Sequence, residues 1–296
     1  MMLLVKRRPA TCRPLTCRPL IWIVTFFLLN CAVSLAADLT PESIVAKHLD
    51  SIGTVQARSG LKSRVVQGGA TYRVLVGGSG AISAAYTFAS QGRESDFVFR
   101  TNANGYLGEQ FICDGDKVSV AGTYPDKHRS EFGVFVLSQD VLLRDNLLGG
   151  VWSSDWALMD IESRRAKLHY EGMKKIDGRD LIALRYLPRK YEDLDVFLYF
   201  DPQTYQHVMS IYKVTVGVGI GFGGEKSSAR RQETRYRLEE RFSDFKTTDS
   251  LTLPTHYDVR YTYEAPSGFT KSVEWEVTAK DIMNNQPIDA RSFQVQ

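Results

Sequence analysis

The stretch that most constrains this chain is residues 167–216, which reads as four short strands joined by tight turns. Asp177-Gly178 supplies the positive φ of a two-residue hairpin. The run that follows alternates: Leu181 and Ala183 take one face, and Ile182, Leu184 and Tyr186 the other. Pro188 stops it, because proline has no N–H for a ladder. A third run puts Val196, Leu198 and Phe200 on one side, and Asp201-Pro202-Gln203-Thr204 turns the chain into a fourth. Successive strands at this spacing predict an antiparallel sheet.

The N-terminus carries an address rather than a fold. Lys6, Arg7, Arg8, Arg13 and Arg18 precede an apolar run over 20–33, and Ser34-Leu35-Ala36 ends it with small residues. This is a secretory signal layout over 1–36, with an uncleaved membrane anchor as the alternative. Five of the 37 basic residues and none of the 34 acidic ones lie there. The remaining chain then carries about −2, so the basic balance is no nucleic-acid footprint. Cleavage leaves Cys113 as the one cysteine, expected as buried filler in a strand.

Residues 37–296 are expected to form a single domain. Thr40-Pro41-Glu42 opens a helix whose apolar stripe is Ile44, Val45, His48, Leu49 and Ile52. His48 reads as a packing histidine. Strands follow: Tyr86 and Phe88 share a face in one, and Phe97 and Phe99 in the next. Asp114-Gly115-Asp116 marks a further hairpin. Over 138–148 a helix is expected, capped by Ser138 and stopped by Gly149-Gly150, with Val141, Leu142, Leu147 and Leu148 as its apolar face. A greasy helix inside a meander should lie across a sheet face. Late strands place Tyr257, Val259, Tyr261 and Tyr263 together, and Val273, Trp275 and Val277 opposite Glu274 and Glu276. Glu239-Glu240, between Arg237 and Arg241, reads as an exposed strand face.

Gly219, Gly221 and Gly224 match a dinucleotide-binding spacing, but no strand–helix–strand unit surrounds them. They read as a hairpin tip, on which Ile220 and Phe222 could touch a membrane or a bound lipid. Catalytic signatures are missing, and the five histidines are scattered singly, so no metal, cofactor or catalytic residue is assigned. Glu192, Asp193 and Asp195 read as a solvated acidic turn.

Four motifs carry a family resemblance: Lys175-Ile176-Asp177-Gly178-Arg179-Asp180, Phe200-Asp201-Pro202-Gln203-Thr204, Leu253-Pro254, and Pro287-Ile288-Asp289 ending at Phe293. Together they resemble the outer-membrane lipoprotein-sorting (LolA/LolB-like) family over residues 38–296. The resemblance implies a mainly β (α+β) fold, a curved antiparallel half-barrel with helices lidding its concave face. It also implies a non-enzymatic periplasmic carrier, monomeric, for lipid or the acyl chains of a lipoprotein, with transient inner- or outer-membrane contact. The expected lining of the apolar cavity is Tyr86, Phe88, Phe97, Phe99, Val196, Leu198, Phe200, Tyr257, Val259, Tyr261 and Trp275, under a lid of Val141, Leu142, Leu147 and Leu148. The rival expectations are a dry core filled by these residues, and an envelope protein-interaction or sensor module on the same half-barrel.

Overall fold

In the computed structural model the alternating runs pair into one twelve-stranded antiparallel sheet. The structure describes residues 39–103, 106–122, 129–191, 193–217 and 233–295. Helix α1 (Pro41–Ile52) starts at the expected cap: Thr40 Oγ1 accepts from the Ser43 amide, and Ser43 Oγ accepts from the Thr40 amide. A short helix, α2 (Val55–Ser59), follows. The first meander is β1 (Ser63–Val76), β2 (Ala81–Gln91), β3 (Glu94–Ala103), β4 (Tyr106–Asp114) and β5 (Val118–Gly122). The helical stretch that comes next holds α3 (Glu131–Ser138), α4 (Val141–Arg144) and α5 (Ile161–Arg164). The second meander is β6 (Lys167–Ile176), β7 (Arg179–Leu187), β8 (Leu194–Phe200), β9 (His207–Gly217), β10 (Glu233–Thr248), β11 (Leu251–Glu264) and β12 (Thr270–Asn284).

The order across the sheet is β5-β4-β3-β2-β1-β12-β11-β10-β9-β8-β7-β6. The two meanders therefore join where β1 meets β12, and β5 and β6 are the free edges. Strands lie about 4.8 Å apart, so a flat sheet of this width would hold its edges roughly 50 Å from each other. Residues 123–166 connect one edge to the other, and Phe132, Phe135, Val136, Trp152 and Trp156 of their described part pack in the same core as the inward face of both meanders. The sheet is bent to make that possible. Register shifts interrupt β1 between Gln67 and Gly68 and β3 between Arg100 and Ala103. At Gly68 the neighbouring strand comes so close that a Cβ would lie 2.0 Å from the Thr278 carbonyl oxygen. Bulges and close-approach glycines of this kind curve a sheet.

The meander of β6 to β9 has the turns expected of it. Asp177 and Gly178 both have positive φ, and Asp201 Oδ1 accepts from the amides of Gln203 and Thr204. Strands β9 and β10 pair directly as antiparallel neighbours, so the glycine segment between them connects a hairpin. Ile220 and Phe222 lie outside the described residues. Cys113 is fully buried, and burial pushes its thiol up to about 11.

The helix expected over 138–148 is corrected. Ser130, not Ser138, caps a helix here, and it is α3; Ser138 closes the last turn by donating to the Phe135 carbonyl. Only the single turn of α4 follows, because Asn146 takes a left-handed φ of 53° and ends it. The solvated reading of Glu240 is corrected too. Strand β10 keeps period two, so Glu240 shares the inward phase of Leu238 and Phe242 and is fully buried. Glu239 faces the other way, where Arg237 pairs with it.

Candidate functional site

All eleven expected lining residues converge on the concave face. Each is exposed over at most 3% of its surface, and all belong to one apolar cluster with Val141, Leu142, Leu147 and Leu148. Of the eleven, only Tyr261 lines a groove that runs beside α3. The space over the others is filled by the connecting segment, chiefly by aromatic side chains. Trp152 packs 4.9 Å from Tyr257 and 5.7 Å from Tyr86, ring centroid to ring centroid. Phe132 of α3 lies 4.7 Å from Trp275, and Phe135 5.5 Å from Tyr261. Offset and edge contacts at these separations add to the area they bury.

The lid is pinned by a few polar contacts. Buried Glu109 of β4 accepts from both the amide and the hydroxyl of Ser130, at 2.7 and 2.6 Å, and so fixes the start of α3. Buried Arg64 of β1 donates to the carbonyl of Val151 at 2.6 Å and, through Nε, to Asn284 Oδ1 at 2.8 Å. Trp156 donates to His48 Nε2 at 2.9 Å, while His48 Nδ1 faces the Tyr205 carbonyl at 3.0 Å. His48 is therefore a neutral, fully partnered packing histidine, as expected. Its burial pushes it down to about 4.

Glu240 is the central polar group. Its carboxyl accepts from the Gly149 amide at 2.7 Å and from Tyr257 Oη at 2.5 Å. Tyr212 Oη lies 2.5 Å from Glu240 Oε2 and 3.0 Å from the Leu147 carbonyl. The Tyr212 hydroxyl is shared between the Glu240 carboxyl and the Leu147 carbonyl. Desolvation holds Glu240 above its ordinary value, against the hydrogen bonds it accepts from Tyr212, Tyr257 and the Gly149 amide. The lid loop at 147–149 is thus tied to the sheet by a buried carboxyl.

The lid does not close the concave face completely. Between α3 and strands β9 to β11 runs a groove of about 570 Å³, walled mainly by Val134, Phe135, Val214, Val216, Tyr236 and Tyr263, with Arg129, Glu131, Ser138 and Gln139 as its polar margin. Phe135, Val214 and Tyr261 belong to the buried cluster as well, so the groove borders the core. Neighbouring strand ends on the same rim carry exposed apolar side chains: Val76 at 45%, Val216 at 50% and Phe269 at 51%.

Sequence reasoning named the sheet side of this site and, on the lid, Val141, Leu142, Leu147 and Leu148, but it missed α3. Phe132, Val134, Phe135 and Val136 follow a β-rich, glycine-broken pattern that gives no helical signal by itself. The inward phase of Glu240 was the available clue to the buried carboxyl. Among the described residues, no group of three His, Cys, Asp or Glu side chains converges to hold a metal ion.

No family model matches the chain, and no curated protein matches it in sequence. Among solved structures it is similar to a LolA superfamily protein of Nitrosomonas europaea, at 14% identity and a TM-score of 0.43 over 87% of this chain and 98% of that one. It is similar to a DUF1329 family protein of Desulfovibrio piger, at 10% identity and a TM-score of 0.45 over 86% and 96% of the two chains. An outer membrane lipoprotein-sorting protein domain of Vibrio parahaemolyticus is similar at 10% identity and a TM-score of 0.41, over 84% and 97%. The family expected from the turn motifs is among them.

Proposed function

We propose that this protein is a non-enzymatic carrier of acyl chains, of a lipid or of a lipidated protein, working in the cell envelope after its leader is removed. The observation that carries the reading is the mainly apolar groove between α3 and β9 to β11, which borders an aromatic-lined concave face covered by short helices and the loops between them. Helices of eight and four residues are not stable alone, and α3 (Glu131–Ser138) and α4 (Val141–Arg144) depend on the face they cover. An acyl chain competes for the same surface, gaining about 0.8 kcal/mol per methylene buried. Entry beside Phe135, with displacement of α3, gives loading and release through one movable element. The apolar rim of Val76, Val216 and Phe269 suits brief contact with a membrane or with the protein that hands over the chain.

The reading is tested with a fluorescent fatty acid and the double variant Val134→Lys/Val216→Lys. Both positions are at least half exposed, so folding should be kept. The expected result is saturable binding by the wild type and a loss of tenfold or more in the variant. Absence of binding by the wild type, or equal binding by both, would overturn it.

A further inference from the structure

A second cleft, of about 580 Å³, opens beside α4 and has the opposite character. Five cationic side chains surround it: Arg93 from the β2–β3 turn, Arg144 from α4, Arg165 just after α5, and Arg189 and Lys190 from the β7–β8 turn. Arg164 also lines it, but its guanidinium is used within the fold, donating to Asp155 Oδ2 at 2.7 Å and to the carbonyls of Asp145, Asp155 and Asp160. The carboxylate in the wall, Asp145, accepts from Tyr186 at 2.8 Å and stands 3.9 Å from Arg93. Arg144 has its nearest carboxylates at 3.7 and 3.9 Å, from Asp140 and Asp116. Among the described residues, Arg165, Arg189 and Lys190 have no carboxylate within 4.0 Å.

The backbone makes the placement more pointed. Arg165 and Lys190 hold left-handed φ values of 54° and 74°. Glycine or asparagine fits such positions better. Instead the chain puts exposed cations there that pair with no carboxylate among the described residues. An excess of cations around a concave space, five against the single carboxylate of Asp145 in its wall, attracts an anion. A carboxylate has one charge and two oxygens and would leave most of these donors idle. A phosphoryl group has up to two charges and three acceptor oxygens, and guanidinium forks match it bidentately. The volume lies in the range of small-molecule sites and exceeds what orthophosphate fills.

We propose that this cleft binds a phosphoryl group carried on a small polar body the size of glycerophosphate, either free or as the headgroup of an anionic lipid. The inference is independent of the acyl-chain reading, since it concerns a different opening and a ligand of different chemistry.

The test uses the full chain, the triple variant Arg165→Asn/Arg189→Gln/Lys190→Asn, and a control with equal charge removed elsewhere, Lys174→Gln/Lys246→Gln/Lys280→Gln. Asparagine keeps the left-handed backbone at 165 and 190, and all six side chains are exposed. One arm titrates glycerol 3-phosphate calorimetrically; the other measures co-sedimentation with phosphatidylglycerol vesicles against phosphatidylcholine vesicles. The expected result is saturable, salt-sensitive binding in at least one arm, weakened tenfold or more in the cleft variant and less than twofold in the control. Binding in the first arm identifies a free ligand, and binding only in the second a lipid headgroup. The single variant Arg189→Gln, at an ordinary backbone position, should lose about threefold and guards against misfolding of the triple. Absence of binding in both arms, or equal losses in the cleft and control variants, would overturn the proposal.

Discussion

Glu240 shows how one side chain can set the pH response of a lid. Its carboxyl is buried among Tyr212, Tyr257 and the Gly149 amide, and desolvation raises it above its ordinary value of 4.5. In the unfolded chain the same group ionises near 4.5. The folded state therefore holds the extra proton, and stability falls as pH rises. The contribution is complete below 4.5 and is lost as pH climbs through the raised folded value. Gln has the same shape, can donate to Tyr212, and cannot ionise. Urea unfolding across pH should show Glu240→Gln close to the wild type near pH 4.5 and more stable than it at pH 8. A constant difference at all pH values would mean that folding does not raise Glu240 above its ordinary value.

At the scale of elements, α3 is the part whose movement matters. It is anchored by the Ser130 cap, by Glu109 beneath it, and by the Lys271–Glu131 ion pair at 3.1 Å. Removing the cap with Ser130→Ala should cost about 1 kcal/mol. In hydrogen exchange the loss should appear first in the amides of 131–138, with the strands of the sheet unchanged. Uniform loss across the sheet would show that α3 does not open separately. This element is also where the sequence was least legible. Strands announced themselves because Val196, Leu198 and Phe200, or Tyr257, Val259 and Tyr261, repeat at period two and one face is buried. The lid helix did not, because its support is tertiary. Gly133 looks like a helix breaker, yet a Cβ there would come within 2.2 Å of Glu109 Oε1. Its place in the helix follows from the strand behind it.

At the scale of the molecule, the strand order explains why the inward faces of both meanders share one core. With β1 paired to β12, the connection from β5 to β6 has to cross the concave side, and it carries Trp152, Trp156 and the lid there. Inward phase, read residue by residue, was enough to place all eleven lining side chains together. The pairing of β1 with β12 was not legible, because nothing local in either strand records a partner 200 residues away. The cationic cleft was equally silent, since Arg93, Arg144, Arg165, Arg189 and Lys190 are brought together by the fold from four separate places in the chain. The same holds for Phe293, which looks like a loose tail in sequence but is buried, its short helical turn (Ala290–Phe293) against β3 and β4.

The central claim is that an acyl chain takes the place of the lid on the concave face. Three of the four tryptophans, Trp152, Trp156 and Trp275, are in that core, and the fourth is Trp22, in the segment expected to be a leader. Titrating the Trp22→Phe variant with dibromostearate, whose bromines quench indole emission on contact, reads entry directly. The account predicts saturable quenching of more than half of the emission, reversed by unbrominated stearate. Binding of the fatty acid with tryptophan emission unchanged would contradict it.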